Sequence, residues 1–201
     1  MIACAVLAAG ASRRLGTPKQ LLAWRGRPLV AHAVGAARAV GEVAVVLGAA
    51  REEVSRALAS EPPPLTLLPN EAWEEGMASS VRVAVRWARS RAAEALVIHL
   101  VDQPHIDGVH LAALVSAFRE GAPLVGTSYA DVIGAPALFS SELYDELETL
   151  AGDRGAAPIL RARAETRAVP APDGALDIDT PADAERLDHL LAASSPKATR
   201  R

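Results

Sequence analysis

The residues that could do chemistry begin with a loop that follows the first apolar segment of the chain. Residues 8–10 are small, so backbone N–H groups there could approach an anion closely, and two cations, Arg14 and Lys19, follow them. The glycine spacing matches neither G-x-G-x-x-G nor the Walker P-loop. A glycine-punctuated turn with solvated arginines is an equally good interpretation of this composition. Lys19 favours phosphate binding, because the 21 basic residues include only one other lysine, Lys197.

Carboxylates form a second candidate group. Asp102 ends an apolar segment, where a carboxylate is costly unless it meets water, a cation or a hydrogen-bond donor. Mg²⁺ favours one or two carboxylates together with phosphate oxygens and waters, so Asp102 and Asp179 are candidate metal ligands. Alternatively, Thr180 and Pro181 begin a helix as its N-cap and first helical residue. In that case Asp177 and Asp179 belong to the start of a helix and not to a metal site.

A third group is polar and uncharged. Asn70 follows an apolar segment and could bind a base or ribose, while Ser79 and Ser80 open a helix whose first N–H groups need acceptors. Helix capping by either serine is the alternative. The five histidines show no metal-ligand spacing, and Cys4 is the single cysteine, which excludes an internal disulfide and a Cys-rich zinc site. The chain has no G-x-S-x-G motif, which argues against covalent catalysis by a serine.

Alternating apolar and amphipathic segments must position these residues. We predict strands at residues 2–8, 42–48, 65–68, 95–101, 123–127 and 165–169, and helices at 28–40, 51–60, 78–91, 108–120, 142–149 and 181–191. This alternation favours an α/β fold, with a mostly parallel sheet and helices on both faces. Ligands of such folds bind beyond the carboxyl ends of the strands, where the first loop, Asn70 and Asp102 lie.

Length and composition restrict the function further. We expect residues 1–193 to form a single domain and the polar, basic residues 194–201 to be a disordered tail. The net charge of −3 argues against a nucleic-acid partner. No apolar stretch approaches the roughly 20 residues that span a bilayer, and no cationic segment precedes the first apolar run, as a signal peptide requires. We therefore expect a cytoplasmic protein with no membrane partner.

Six short motifs, in the same order, resemble those of the molybdenum cofactor cytidylyltransferase (MocA-like) family of nucleotidyltransferases. They are LAAGxSxRLGxxK from residue 7, Asn70 with EGMASSV from residue 75, VDQP from 101, GxPALF from 134, GDRGA from 152 and DIDTP from 177. The resemblance implies a Rossmann-like, glycosyltransferase-A-like three-layer sandwich. It also implies magnesium-dependent transfer of CMP from CTP to a phosphorylated acceptor, a molybdopterin-type cofactor, with release of pyrophosphate.

The resemblance assigns roles to individual residues. The implied catalytic residues are Arg14, Lys19 and Asp102, and the implied metal ligands are Asp102 and Asp179. The implied nucleotide-binding residues are Leu7, Ala8, Ala9, Gly10, Ser12, Arg14, Lys19, Asn70, Ser79 and Ser80. The implied acceptor-binding residues are Gly134, Pro136, Asp153 and Arg154. The implied partners are a nucleoside triphosphate, the acceptor, and a molybdoenzyme or its chaperone.

Base, acceptor and function class each keep an alternative. The Ala-Ala-Gly of residues 8–10 leans toward CTP, whereas related guanylyltransferases tend to show Ala-Gly-Gly. Ala135 stands where MocA-like enzymes commonly have histidine, which leaves a different phosphorylated acceptor open. The alternatives are a guanylyltransferase of the molybdopterin-guanine dinucleotide type and a non-catalytic nucleotide-binding escort of the cofactor. The joint presence of Lys19, Asp102 and Asp179 argues against the escort.

Overall fold

The computed structural model describes residues 1–129, 132–171, 178, 180, 182 and 183. The strands are β1 (Ile2–Ala8), β2 (Ala23–Trp24), β3 (Arg27–Pro28), β4 (Glu42–Leu47), β5 (Thr66–Pro69), β6 (Ala95–Leu100), β7 (Leu124–Tyr129), β8 (Val132–Ser140) and β9 (Arg167–Pro170). The α-helices are α1 (Leu29–Ala37), α2 (Arg51–Ala57), α3 (Met77–Ser90), α4 (Gly108–Arg119), α5 (Tyr144–Glu148) and α6 (Ala157–Ala162). Short 3₁₀ turns lie at Lys19–Leu21, Trp73–Glu75, Ser141–Leu143 and Gly152–Arg154.

Seven strands form one sheet in the order β5-β4-β1-β6-β8-β7-β9, and β2 and β3 form a separate hairpin. β1 pairs in parallel with β4 and β6, and every residue of β1 is buried. The near-continuous apolar sequence of these strands fits their place at the centre of the sheet, where helices cover both faces. The predicted fold class is confirmed.

The two faces of the sheet carry separate cores. One core combines the β1 side chains Cys4 and Val6 with buried residues of α1, α2 and α4, and the other combines Ala5 and Leu7 with buried residues of α3, α5 and α6. This division follows from the two-residue period of a strand, which sends successive side chains to opposite faces. Burial raises the pKa of the Cys4 thiol, as expected of an inert core cysteine.

The sequence pattern assigns no strand or helix to the residues of β8 and α6, and the structure corrects this omission. β8 runs antiparallel between β6 and β7, and its register against β7 shifts between Gly126 and Thr127. Its sequence contains Gly134 and Pro136, residue types that weaken a strand pattern and concentrate at irregular positions. α6 spans only six residues, too few to show a helical period.

The C-terminal predictions fall mostly outside the described residues. These are Asp177, Asp179, the whole tail and all but two residues of the helix at 181–191. The backbone N–H of Thr180 donates to Asp183 Oδ2 at 2.8 Å, and Thr180 Oγ1 accepts from the N–H of Asp183 at 3.3 Å. This reciprocal pair supports the predicted capping role of Thr180. Within the described ranges, no helix is both long and apolar enough to cross a membrane.

Candidate active site

A cavity of about 410 Å³ opens beyond the carboxyl ends of β1 and β6. Its lining comes from four places: the end of β1 with the loop after it, the end of β6 with the residues that follow it, the segment before and at the start of α3, and Asp153. The lining residues are Leu7, Ala9, Gly10, Ala11, Ser12, Arg13, Lys19, Gln20, Trp73, Glu74, Gly76, Met77, Ser80, Leu100, Val101, Asp102 and Asp153. The topology therefore brings together segments that are far apart in sequence.

Hydrogen bonds to Lys19 and Gln20, at the end of the loop that follows β1, fix the start of that loop. Ser12 adopts a left-handed conformation (φ 51°), and its hydroxyl accepts a 2.9 Å hydrogen bond from the backbone N–H of Lys19. The buried Gln20 side chain donates to the carbonyls of Ala8 and Gly10, both at 2.8 Å. Small side chains at residues 8–11 leave the backbone of this loop accessible to a ligand in the cavity.

Lys19 and Asp102 form an ion pair in the cavity wall. Lys19 Nζ lies 2.5 Å from Asp102 Oδ2, and only 16% and 14% of the two side chains are exposed. The other carboxylate oxygen, Oδ1, is buried and has no hydrogen-bond partner among the described residues. Burial weakens the competition from water, so this pair concentrates opposite charges beside the loop that follows β1.

A divalent cation fits Asp102. Its Oδ1 is a buried acceptor that lacks a partner within the described part of the chain, and an unsatisfied charged oxygen is costly. The described residues contain no group of three or more His, Cys, Asp or Glu side chains that could hold a metal. A single carboxylate suits Mg²⁺, which keeps waters and takes phosphate oxygens from its substrate.

Ile178, which precedes Asp179 in the sequence, contacts the backbone of Asp102. The backbone N–H of Ile178 donates to the carbonyl of Asp102 at 3.2 Å, and the Ile178 side chain is fully buried. Asp179 itself lies outside the described residues, so its role as a ligand stays a prediction.

The structure places a different arginine at the cavity from the one the sequence singled out. Arg13 lines the cavity, whereas Arg14 is exposed and does not line it. Neighbouring residues in a turn point in different directions, and the sequence does not show which of the two faces the ligand. The catalytic role of Arg14 stays a prediction.

Asn70, Ser79 and Ser80 form a buried hydrogen-bond network behind the cavity. Asn70 Nδ2 donates to Ser79 Oγ at 2.8 Å and to Ser80 Oγ at 3.0 Å, and Asn70 Oδ1 accepts from the N–H of Ala72. Ser79 also donates to the carbonyl of Gly76. Of the three predicted residues, only Ser80 lines the cavity. The network ties the start of α3 to the end of β5.

A second cavity of about 220 Å³ adjoins the first and shares Met77, Leu100 and Asp153 with it. Its other lining residues are Val81, Ile98, Ala135, Ala137, Phe139, Arg154, Ala156, Ala157 and Leu160. Of the four predicted acceptor residues, Asp153 and Arg154 line this cavity, whereas Gly134 and Pro136 do not. Ala135 lies between them and does line it. The lining is apolar apart from Asp153 and Arg154.

Gly76 packs closely against Gly152 and Asp153 at the edge of the larger cavity. Gly76 has φ 117°, and a Cβ on it would meet Asp153 Oδ1 and lie 2.7 Å from the carbonyl carbon of Gly152. Arg82 bridges the same region, since it donates to Glu75 Oε2 and to the carbonyl of Leu150, both at 2.6 Å. The Arg82 hydrogen bond is the main reason why the pKa of the Glu75 carboxyl is lowered.

Sequence reasoning missed several residues of the cavity wall. Gln20, Trp73, Glu74 and Met77 all line it. None of the four offered a signal in the sequence; the burial of Gln20 and its bonds to backbone carbonyls appear only in the structure. Trp73 and Glu74 lie in a 3₁₀ turn whose position depends on the path of the chain after β5.

Comparison with known proteins agrees with this geometry. The sequence profile of the MobA-like NTP transferase domain matches residues 4–168. The purine catabolism protein PucB of Bacillus subtilis is 32% identical over 162 residues, which cover 77% of this chain and 78% of that protein. A molybdenum cofactor guanylyltransferase of Rhodobacter capsulatus is 29% identical over 201 residues, which cover 97% of this chain and 99% of that protein.

Solved structures share the whole fold. The homologue of Mycobacterium tuberculosis Rv0371c from Mycobacterium sp. strain JC1 superposes with a TM-score of 0.81 at 33% identity and covers 96% of this chain and 98% of its own. The manganese complex of Rv0371c from Mycobacterium tuberculosis has a TM-score of 0.75 at 29% identity and covers 92% of this chain and 97% of its own. Because the profile matches more than half of the residues, this chain is a nucleotidyltransferase-type enzyme that belongs to the MobA-like NTP transferase domain family.

Proposed function

We propose that this enzyme transfers a nucleotidyl group, CMP, from CTP to a phosphorylated acceptor, with release of pyrophosphate. The observation that carries the proposal is the largely buried Lys19–Asp102 ion pair, which lines a cavity of about 410 Å³ together with a loop of small residues. A cation and accessible backbone N–H groups at the ends of parallel strands can bind a triphosphate, and the carboxylate can hold the divalent cation that accompanies it.

In the proposed reaction, an oxygen of the acceptor's phosphate forms a bond to the α-phosphorus of the triphosphate. The bond from the α-phosphorus to the oxygen that bridges the α- and β-phosphates breaks, and pyrophosphate leaves. A phosphate monoester is largely ionised near neutral pH, so no strong general base is needed. Positioning and charge neutralisation must then supply most of the acceleration. Lys19 provides this charge from the cavity wall, together with Arg13 and the sequence-predicted Arg14.

Magnesium is the proposed cofactor, held by Asp102 and by Asp179. When bound, it would neutralise phosphate charge and fix the geometry of the triphosphate. The buried Oδ1 of Asp102 supports this assignment, because it is a carboxylate oxygen without a partner among the described residues.

The donor base has two candidates. The Ala-Ala-Gly of residues 8–10 favours CTP, whereas the Rhodobacter capsulatus relative is a guanylyltransferase that covers nearly the whole chain. A guanylyltransferase is therefore the second candidate. Both candidates use the same loop, ion pair and chemistry, and differ only in the base.

For the acceptor we propose a molybdopterin-type cofactor that occupies the 220 Å³ cavity. The apolar walls of this cavity suit a ring system, and Arg154 offers a cation at its side. Ala135 contributes only a methyl group to the lining, so this chain must seat the acceptor without the histidine that MocA-like sequences commonly have there.

Isothermal titration with CTP, GTP, ATP and UTP, each with and without Mg²⁺, tests the proposal. We expect CTP to bind most tightly and Mg²⁺ to strengthen binding; a preference for GTP would select the second candidate. Pyrophosphate release with CTP and molybdopterin then tests catalysis. If no triphosphate binds, the proposed function is wrong; if CTP binds but no pyrophosphate appears, a non-catalytic escort or a different acceptor replaces it.

A further inference from the structure

Gln20 is buried in the middle of the candidate active site, although it carries no charge and takes no part in the proposed chemistry. Its side chain is fully buried, and its carboxamide nitrogen donates to two backbone carbonyls, those of Ala8 and Gly10. Both bonds are 2.8 Å long, so both hydrogens of the amide are used. The two acceptors lie on either side of Ala9, in the loop of small residues that lines the larger cavity.

These bonds fix the orientation of two peptide groups in the loop. The carbonyl and N–H of a trans peptide point in opposite directions, so a held carbonyl also fixes the direction of the next N–H. The peptides concerned are those between Ala8 and Ala9 and between Gly10 and Ala11. Without the bond to Gln20, the peptide between Gly10 and Ala11, which lies beyond the end of β1, could rotate and present its carbonyl oxygen to an anionic ligand.

The same side chain connects the loop to Lys19. Gln20 and Lys19 are neighbours in the 3₁₀ turn Lys19–Leu21, and Lys19 Nζ reaches Asp102 from that turn. The Gln20 amide therefore ties the turn that carries the lysine to the end of β1. It sets the distance between the cation and the backbone that would both contact one triphosphate.

Side-chain packing alone does not explain a glutamine at this position. Its carboxamide oxygen is buried and has no hydrogen-bond partner among the described residues, which costs stability. A position selected only for packing would favour an apolar side chain of the same size. The two hydrogen bonds that the amide nitrogen donates to backbone carbonyls offset this cost.

We propose that Gln20 is a positioning residue for the triphosphate, which preorganises the loop after β1 and the turn that carries Lys19. The proposal rests on the proposed function, since it names what shapes the same site. A loop that is ordered before binding gives a higher apparent affinity, because the competent conformation is already the populated one. Gln20 acts through the backbone and through Lys19.

The test compares three variants at a temperature where all are folded. Gln20→Met keeps the length of the side chain but removes the donor, and Gln20→Glu keeps the shape but replaces the donor with a carboxylate. Tyr144→Phe is the control, because it removes one buried hydrogen bond, from Tyr144 Oη to the carbonyl of Ala93, away from both cavities. The measurements are the dissociation constants of CTP and inorganic pyrophosphate, KM and kcat for each substrate, and the melting temperature.

We expect Gln20→Met to weaken binding of CTP and of pyrophosphate by about tenfold or more, with KM for the acceptor unchanged. Gln20→Glu should bind both more weakly still, and Tyr144→Phe should bind both as the unchanged protein does. The role is overturned if Gln20→Met binds both ligands normally, even when its melting temperature falls. If the unchanged protein binds neither ligand, the proposed function itself fails. If it binds both but Gln20→Met binds them equally well, only the role of Gln20 fails.

Discussion

Replacing Lys19 with methionine should move metal affinity and turnover in opposite directions. The ammonium lies 2.5 Å from Asp102 Oδ2, and both side chains are mostly buried. A charge-assisted hydrogen bond of this kind contributes about 1.5–3 kcal/mol. A divalent cation that binds Asp102 before the nucleotide must displace or share this interaction, so its loss should strengthen metal binding by about 10–150-fold. The same change removes a cation from the transition state, which should lower turnover about 10²–10³-fold.

Stability gives a second measure of the same pair. Lys19→Met leaves a buried carboxylate without its cation, which should cost about 1–3 kcal/mol. For a chain of this length each kcal/mol lowers the melting temperature by about 2–4 °C, so we expect a decrease of about 2–12 °C. Added Mn²⁺ should recover much of this loss, because the metal replaces the missing charge beside Asp102.

The assay is Mn²⁺ titration without nucleotide, followed by electron paramagnetic resonance, alongside steady-state pyrophosphate release. Arg119→Met is the matched control, since it removes a cation from an ion pair with Glu94, 2.6 Å long and exposed. The control should leave metal affinity and turnover unchanged. Unchanged or weaker Mn²⁺ binding in Lys19→Met, or turnover near that of the unchanged protein, would refute the reasoning.

Three further predictions concern single side chains. Asp102→Asn should lower turnover about 10²-fold or more and abolish Mn²⁺ binding measured by resonance; an unchanged titration curve would exclude Asp102 as a ligand. Gly76→Ala should lower the free energy of unfolding, measured with urea, by more than Gly121→Ala does. Both glycines have a positive φ, but of the two only Gly76 faces packed atoms: a Cβ on it would lie 2.7 Å from the carbonyl carbon of Gly152. Equal losses would show that backbone strain alone matters. Burial lowers the pKa of His99 from 6.5 to about 3. Between pH 6.5 and pH 3 only the unfolded state therefore takes up this proton, so the free energy of unfolding should fall by about 1.4 kcal/mol per pH unit on acidification. His99→Leu should flatten this acid dependence, and a slope equal to that of the unchanged protein would contradict the assignment.

The sequence was sufficient to predict the part of the fold that depends on local pattern. β1, β4 and β6 are near-continuous apolar runs, and their ends place the first loop and Asp102 at one edge of a mostly parallel sheet. β8 could not be predicted in this way, because its pairing with β6 and β7 overrides a sequence that contains Gly134 and Pro136. Tertiary pairing decides such a segment, and a single sequence does not show it.

The candidate site, like the fold, could be predicted from the sequence only in part. Lys19 and Asp102 could be predicted as chemical groups from their types and positions, whereas their contact across 83 residues required the fold. The choice of Arg13 over Arg14 as a cavity residue depends on the turn around Ser12, which has a left-handed conformation. Gln20 was missed because its role lies in bonds to backbone carbonyls, which leave no spacing pattern.

The central position of β1 has a consequence for how the chain is made. β1 leaves the ribosome before β6, one of its two neighbours in the sheet, because β6 begins 93 residues later, with Ile2 opposite Ala95. At about 5–20 residues per second, synthesis of that interval takes roughly 5–20 s. During this time one edge of an entirely apolar strand has no native partner, so nascent-chain chaperones have a defined segment, residues 2–8, and a defined period in which to bind it.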